Sequence, residues 1–156
     1  MSHEYYYLGN STALAKIHGH ASYICIDTKS WESLIYAQGY PVEPDEVSVM
    51  KRFLSPGDNF IDVGSNFGIY TAIASETIAH SGKIIAFEAN PHTHKFLCKT
   101  AQANRLFYLR RHEFINAAVG PRDGETEFAY SPEGLGGGHI PFAGEDTGEQ
   151  QVVRVQ

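Results

Sequence analysis

The stretch FIDVGSNFGIY, from Phe60 to Tyr70, decides the fold class of this chain. A short apolar segment runs into an acid, two glycines follow, and an apolar segment with helical character begins. A glycine-rich turn between a strand and a helix lets the backbone come close to a ligand. The stretch therefore predicts a strand–turn–helix unit that opens a ligand site.

Size and composition fit one folded domain. The chain has 156 residues, 42% of them hydrophobic, and a formal net charge of −6. Because phosphate contacts need a clustered Lys/Arg surface, this acidic balance predicts no nucleic-acid partner. No apolar run approaches the roughly 20 residues that span a bilayer, so we expect no membrane partner and a cytoplasmic protein. Cys25 and Cys98 lack the spacing of a zinc site, so we expect reduced thiols and no metal.

Strand and helix patterns alternate after Phe60. The second helix is expected to begin with Asn90 as its cap and Pro91 at its first position. This alternation predicts parallel strands joined by right-handed crossovers, and hence an open α/β sheet. The expected strands and helices, in chain order, are Asn59–Val63, Phe67–His80, Lys83–Glu88, Asn90–Asn104 and Glu113–Gly120.

The flanking segments suggest an extension and an incomplete sheet. We expect residues 1–55 to form an N-terminal extension of short strands and a helix, and residues 56–156 to form the α/β domain. No helix pattern follows the last strand, so the sheet is expected to be incomplete on its C-terminal side. Its uncovered apolar edge would offer a surface for self-association. The expected elements in these flanks are a strand at Tyr23–Thr28, a helix at Pro44–Leu54, and strands at Glu125–Tyr130 and Gln151–Val155.

Acidic residues stand at the expected tips of two neighbouring strands. Asp62 and its glycine turn end the first strand, and Glu88 ends the second. Ligands of open α/β sheets bind beyond the carboxyl ends of the strands. We therefore expect a nucleoside whose ribose hydroxyls donate to Glu88, while the turn lies against the group attached to the ribose.

Three nucleoside ligands compete for this turn. The dinucleotide fingerprint G-x-G-x-x-G fails at Asn66 and at Ile69, which weakens the hypothesis of a nicotinamide oxidoreductase. The P-loop pattern fails because Ile84 replaces the required Ser or Thr. S-adenosylmethionine carries no phosphate, and the D-x-G-x-G-x-G layout of its binding turn matches Asp62–Gly68 with Asn in the middle. Asn tolerates a left-handed backbone. A turn that serves packing alone remains the alternative.

The segments FIDVGSNFGIYT, IIAFEANP and INAAVG together resemble the FkbM-type methyltransferases, whose patterns run close to D-V-G-A-N-x-G-x-Y-T and A-F-E-P-x-P. The resemblance covers roughly residues 44–120. It implies a Rossmann-like methyltransferase sheet with three α/β/α layers, S-adenosyl-L-methionine as the cofactor, and O-methylation of a small-molecule or sugar hydroxyl. Carried over by position, it implies that Glu88 holds the ribose and that the remaining cofactor contacts come from Asp62, Gly64, Ser65, Asn66, Gly68 and Tyr70.

The chain also departs from this family. The K-x-D-x-E-G stretch that follows in the family is missing here, which predicts a partial domain. A second hypothesis is therefore a non-catalytic remnant that binds the nucleoside but transfers no methyl group.

No residue is assigned as the catalytic base. His139, on a glycine-rich loop, was weighed for that role, and His92 and His94 point to different helix faces, so they are not expected to share a metal. Trp31 is expected in the core.

Overall fold

The computed structural model describes residues 4–78, 81–108, 111–131, 137–142 and 149–156, with only the backbone at 149 and 150. It contains eight strands and four α-helices in these ranges. They are β1 (Tyr5–Gly9), β2 (Thr12–Lys16), β3 (Tyr23–Asp27), α1 (Ser33–Ala37), α2 (Pro44–Phe53), β4 (Phe60–Val63), α3 (Ile69–Ile78), β5 (Ile84–Phe87), α4 (Pro91–Ala103), β6 (Glu113–Ile115), β7 (Gly124–Tyr130) and β8 (Glu149–Val155), with a short 3₁₀ helix at Leu106–Tyr108.

The central sheet consists of β4, β5 and β6 in that order, and its strands are parallel. The predicted open α/β fold is therefore confirmed. Strands β4 and β5 begin and end within one residue of the expected bounds. Strand β6 is shorter than expected, because the chain leaves the sheet at Asn116, whose side-chain nitrogen donates to the carbonyl oxygens of Glu88 and Ala89 at 2.8 and 3.0 Å.

Helices α3 and α4 pack side by side on one face of this sheet. Alternation along the strands places Ile84 and Ala86 in the core beneath them, together with Leu97 of α4. The opposite face is different: Ile61 and Val63 are 62% and 61% exposed. In the part of the chain that the structure describes, the sheet therefore has one helical layer, and the second helical layer of the expected α/β/α arrangement is not present.

The N-terminal strands form a separate antiparallel sheet in the order β1–β2–β3. Its inner face packs on the outer side of α3 and α4. The core between them includes Ala15 and Ile24 of the sheet and Ile73 and Phe96 of the helices. The residues expected to form an extension thus share a hydrophobic core with the α/β unit. The boundary at residue 55 stays a prediction.

The outer edge of β3 is covered by side chains of α4 and of Asn104, the residue that follows this helix. The side-chain oxygen of Asn104 accepts from the backbone nitrogen of Tyr23 at 2.9 Å, and its side-chain nitrogen donates to the Tyr23 carbonyl at 2.6 Å. One residue pair further along, the hydroxyl of Thr100 accepts from the backbone nitrogen of Cys25 at 2.9 Å. Helix side chains therefore take the place of a fourth strand.

The C-terminal strands β7 and β8 pair antiparallel, as the alternating pattern predicts. This hairpin joins the chain after β6 through a parallel bridge between Ala118 and Val155. A small core of Ala118, Phe128 and Val153 holds it in place. The hairpin therefore lies next to the carboxyl end of the central sheet.

Trp31 was expected in the core, and this prediction is wrong. Its side chain is 58% exposed in the turn before α1, where Ser30 and Ser33 take the buried positions instead. The Ser33 hydroxyl donates to the carbonyl of Asp27, so a small polar residue closes this turn.

Cys25 is buried and Cys98 is half-buried, and both are free thiols. None of the described helices is long and apolar enough to cross a membrane.

Candidate nucleoside-binding site

The glycine turn after β4 is fixed to the tip of β5. The backbone nitrogens of Gly64 and Ser65 both lie 2.9 Å from the carbonyl oxygen of Phe87, and the Ser65 hydroxyl donates to the Asp62 carbonyl at 3.0 Å. Gly64 and Asn66 both have a left-handed backbone, with φ of 77° and 50°. Asn66 therefore occupies the kind of backbone position that the sequence analysis expected Asn to tolerate.

The carboxylate of Glu88 joins the two strand tips. One oxygen, Oε2, accepts from the backbone nitrogen of Asn66 at 2.8 Å, and Oε1 accepts from the backbone nitrogen of Asn90 at 2.8 Å. The side-chain oxygen of Asn90 also accepts from the backbone nitrogen of His92 at 2.9 Å and caps α4, as predicted. Since Asn116 holds the backbone of Glu88 from the other side, this carboxylate has a fixed position.

Two buried carboxylates lie close together at this end of the sheet. Glu88 and Asp62 are 7% and 8% exposed. Burial raises the pKa of Glu88 above its usual value of 4.5, against hydrogen bonds from Asn90 and Asn66 that lower it, and the charge of Asp62 raises it further. Burial also raises the pKa of Asp62, whose Oδ2 accepts from the Thr71 hydroxyl at 2.6 Å. Desolvated acids of this kind cluster at ligand and catalytic sites.

A cavity of about 220 Å³ opens between the glycine turn and the C-terminal hairpin. Its polar side is formed by Gly64, Asn66 and Glu88. The apolar residues that line the other side include Phe87, Ala117, Phe128 and Ile140. A concave apolar site with a few convergent polar groups is the usual form of a small-molecule site, although the volume is below the roughly 300–1,000 Å³ of a typical one, so it would hold part of a ligand.

Three of the residues expected at the cofactor, Gly64, Asn66 and Glu88, come together in this cavity. Two other expected residues, Asp62 and Ser65, do not line the cavity. Asp62 is buried against Thr71 at the start of α3, and Ser65 is buried between β4 and β5.

The remaining two expected residues face elsewhere. A side chain at Gly68 would place its Cβ 2.7 Å from Leu97 Cδ1, so this glycine allows α3 and α4 to pack closely. The hydroxyl of Tyr70 donates to the carboxylate of Glu43, just before α2. Neither Gly68 nor Tyr70 lines the cavity.

Several residues of the cavity were not found from the sequence. Phe128 and Ile140 come from segments far along the chain, and no motif points to them. Asn116 does not line the cavity but holds the backbone of Glu88, and it lies inside the quoted segment INAAVG, where a single amide in an apolar run is the signal that could have identified it. His139 pairs through its backbone with Ala129, and its imidazole contacts the Gly137 carbonyl outside the cavity. Within the described ranges no group of His, Cys, Asp and Glu side chains could hold a metal ion.

No protein-family model matches this chain, and no curated protein matches it either. Several solved structures are similar to this chain. They include a tRNA methyltransferase from M. jannaschii (17% identity, 74% of this chain and 35% of the other, TM-score 0.49) and TYW2 from P. horikoshii in complex with MeSAdo (18%, 72% and 38%, TM-score 0.48). A third is a SAM-dependent O-methyltransferase from Thermotoga maritima (18%, 65% and 48%, TM-score 0.41).

The chain spans 35% to 48% of the length of these three proteins, and likeness at such identities concerns the fold alone. TYW2 is described in complex with MeSAdo, and the Thermotoga maritima protein is described as SAM-dependent.

The prediction that excluded a nucleic-acid partner is wrong. One similar structure is a tRNA methyltransferase, and another is the complex of aTrm5 with tRNALeu (17% identity, TM-score 0.44). The net charge of a whole chain says little about the charge of one surface, because a local basic patch can coexist with an acidic total. The acidic balance of this chain therefore does not exclude a nucleic-acid substrate.

Proposed function

We propose that this chain binds S-adenosyl-L-methionine and is the cofactor-binding part of a methyltransferase of the FkbM type. The observation that supports this most directly is the shared cavity of Glu88, Gly64 and Asn66 at the tips of β4 and β5. In this proposal the α/β domain comprises residues 56–156, and residues 1–55 are an extension packed on its helices.

Glu88 is suited to a ribose diol. Each of its carboxylate oxygens accepts one backbone N–H, which leaves further lone pairs on both atoms. Two adjacent hydroxyls can donate to such a carboxylate together, and the partial burial of the site strengthens these bonds.

The glycine turn is suited to the methionine part of the cofactor. Nothing lies within 4 Å of the position where a Cβ on Gly64 would stand, so a ligand can approach the backbone there. The side-chain oxygen of Asn66 is buried and has no hydrogen-bond partner among the described residues. An ammonium group of the ligand would satisfy this acceptor, since a buried polar atom without a partner is costly. The apolar wall around Phe87 and Phe128 would receive the base.

When bound, the cofactor supplies a sulfonium methyl group for in-line transfer to an acceptor. The residues of this chain would hold and orient it, and positioning supplies a large share of the rate in such reactions. From the resemblance in sequence, we propose a small-molecule or sugar hydroxyl as the acceptor. No catalytic base is assigned.

Calorimetry with S-adenosylhomocysteine tests the cofactor. We expect the wild-type chain to bind it and the Glu88→Ala variant to bind about 10- to 100-fold more weakly, because charge-assisted hydrogen bonds to the ribose are lost. Glu125→Ala, an exposed acid on β7, is the matched control and should bind like the wild type. A wild-type chain that shows no binding would overturn the proposal.

Transfer of a labelled methyl group tests the acceptor. Hydroxyl-bearing small molecules and a tRNA fraction are incubated separately with the chain and labelled S-adenosylmethionine. Product on a small-molecule hydroxyl is expected. Product on tRNA alone would refute the proposed acceptor while leaving the cofactor intact. Binding of S-adenosylhomocysteine without any labelled product would reduce the function to cofactor binding.

A further inference from the structure

A second cavity, of about 490 Å³, lies between α2 and the turn that joins β2 to β3. It shares no lining residue with the cavity at the glycine turn, which contains Gly64, Asn66 and Glu88 and is called the nucleoside cavity below. Its apolar surface is provided mainly by Ile17, Val47 and Ile73, which all belong to the core under α2. The volume is within the roughly 300–1,000 Å³ of small-molecule sites.

The polar lining of this cavity is basic. Lys51 and Arg52, in the last turn of α2, and His18 and His20, in the β2–β3 turn, all contribute to it. No acidic side chain is among its described lining residues. Lys51 and Arg52 form no ion pair within the described ranges. The dipole of α2 favours cations at its C-terminus, which accounts for these two residues but not for the histidines.

His20 is held in place by an acid behind it. Its side chain is only 8% exposed, and its Nδ1 lies 3.1 Å from Oε2 of Glu76. The other oxygen of Glu76 accepts from the backbone nitrogen of Ser22 at 2.7 Å. Burial works against ionisation of Glu76, but hydrogen bonds from Ser22 and His20 outweigh it and lower the pKa of this acid.

Nδ1 of His20 faces the carboxylate of Glu76. When the ring carries both protons, Nδ1 donates to Glu76 and Nε2 is a second N–H donor that can reach another partner. In this doubly protonated form, a buried and oriented imidazole in the lining of a basic cavity is suited to a charge-assisted hydrogen bond to an anion.

We propose that this cavity binds an organic anion with an apolar body. The anionic group would lie against Lys51, Arg52 and His20, and the apolar part would cover Ile17, Val47 and Ile73. The proposal does not depend on the nucleoside cavity, and it stands or fails separately from the methyltransferase assignment.

Nuclear magnetic resonance of the ¹⁵N-labelled chain tests this proposal, with anilinonaphthalene sulfonate as the anionic probe and phenylnaphthylamine as its uncharged counterpart. We expect the anion to shift backbone signals of the β2–β3 turn and α2. The double variant Lys51→Gln/Arg52→Gln should bind the anion about ten-fold more weakly, because two charge-assisted contacts are lost. Lys29→Gln/Lys95→Gln removes the same charge elsewhere and should bind like the wild type.

Three results would overturn the proposal. One is equal affinity of the Lys51→Gln/Arg52→Gln variant and the wild type for the anion. Another is a shift pattern that centres on the exposed sheet face at Ile61 and Val63 rather than on α2. Equal binding of the uncharged counterpart would also contradict it, because the site would then be apolar only.

Discussion

Oε2 of Glu88 lies 2.8 Å from the backbone nitrogen of Asn66, so the acid at the tip of β5 holds the left-handed turn at the tip of β4. The donor is the backbone nitrogen of Asn66 and not its side chain. A glycine at this position can therefore form the same hydrogen bond. We predict that Asn66→Gly changes the free energy of unfolding by less than about 1 kcal/mol. Asn66→Val should cost about 1–2 kcal/mol more, because a β-branched residue is strained at this φ. Urea unfolding measures both, and equal stability of the two variants would contradict the argument.

The raised pKa of Glu88 predicts a pH dependence of cofactor binding. The ribose hydroxyls need the ionised acid, so affinity for S-adenosylhomocysteine should fall as the pH decreases, and the fall should begin above the ordinary value of 4.5. Calorimetry at a series of pH values measures this. Glu88→Gln serves as the control, because its affinity should be low and much less dependent on pH.

The raised pKa of Glu88 has the opposite consequence for stability, because low pH favours the folded state. An acid whose pKa is higher in the folded chain favours folding when protonated, and this contribution is complete below 4.5 and lost as the pH rises through the folded value. We therefore expect the free energy of unfolding of the wild type, relative to Glu88→Gln, to decrease with rising pH in that window. A difference that stays constant or increases would show that the pKa is not raised.

Two glycines of the same turn are predicted to respond differently to alanine. Both Gly64 and Gly68 have positive φ, so each Ala pays a backbone penalty of about 1–2 kcal/mol. At Gly64 the added methyl group meets open space, whereas at Gly68 it meets Leu97. Gly68→Ala should therefore lose about 1–3 kcal/mol more than Gly64→Ala in urea unfolding, because packing between α3 and α4 is disturbed. Equal losses would mean that the two helices adjust freely.

The hydroxyl of Thr71 is predicted to be important for stability because it serves a buried acid. It donates to Oδ2 of Asp62, and Thr71 itself is fully buried. Thr71→Val keeps the shape but leaves the carboxylate without this donor, so we expect a loss of about 1–3 kcal/mol in the free energy of unfolding. Thr71→Ser retains the hydroxyl and should restore most of this loss. If serine and valine were equally destabilising, the hydrogen bond would not be the cause.

The two faces of the central sheet should differ sharply in their tolerance to truncation. Ile84 is fully buried under the helices, and Ile61 on the neighbouring strand is 62% exposed on the other face. Ile84→Ala should cost about 2–5 kcal/mol, whereas Ile61→Ala should remain within about 1 kcal/mol. Thermal or urea unfolding compares them directly. A large loss at Ile61 would show that this face is covered in solution.

The central part of the fold could be predicted because its signals are local. Continuous apolar runs identify β4 and β5, and Asn90 followed by Pro91 identifies the start of α4. The apolar pattern predicts a longer β6, because Asn116 lies within an apolar run, whereas its amide turns back to Glu88 at the end of the previous strand.

The sequence predicts short strands in residues 1–55 but does not locate β1 and β2, for a different reason. The tight connection between them passes through Gly9, Asn10 and Ser11, all with positive φ. Gly and Asn are common in turns, but Ser rarely adopts such a backbone, so the pair Asn10–Ser11 lacks the Asn-Gly pattern that marks a two-residue hairpin. Pairing of β1 with β2, and of β2 with β3, stabilises both strands.

Less of the candidate site was accessible from the sequence. The motif identifies Gly64, Asn66 and Glu88 because their roles depend on the strand tips that the motif itself defines. The reason for Gly68 lies with Leu97, almost thirty positions away, and the partner of Tyr70 is Glu43 on another segment. A motif cannot distinguish a glycine that faces a ligand from one that faces a helix, because both positions carry the same residue.

The capping of β3 by Asn104 and Thr100 limits how this protein could polymerise. An exposed strand is normally a template for another chain, and many proteins protect it with charges or proline. Here the N–H and C=O of Tyr23 and the N–H of Cys25 are already bonded to Asn104 and Thr100, at the C-terminal end of α4. An incoming strand could join that border only after α4 had detached, which would first open the hydrophobic core that both sheets share.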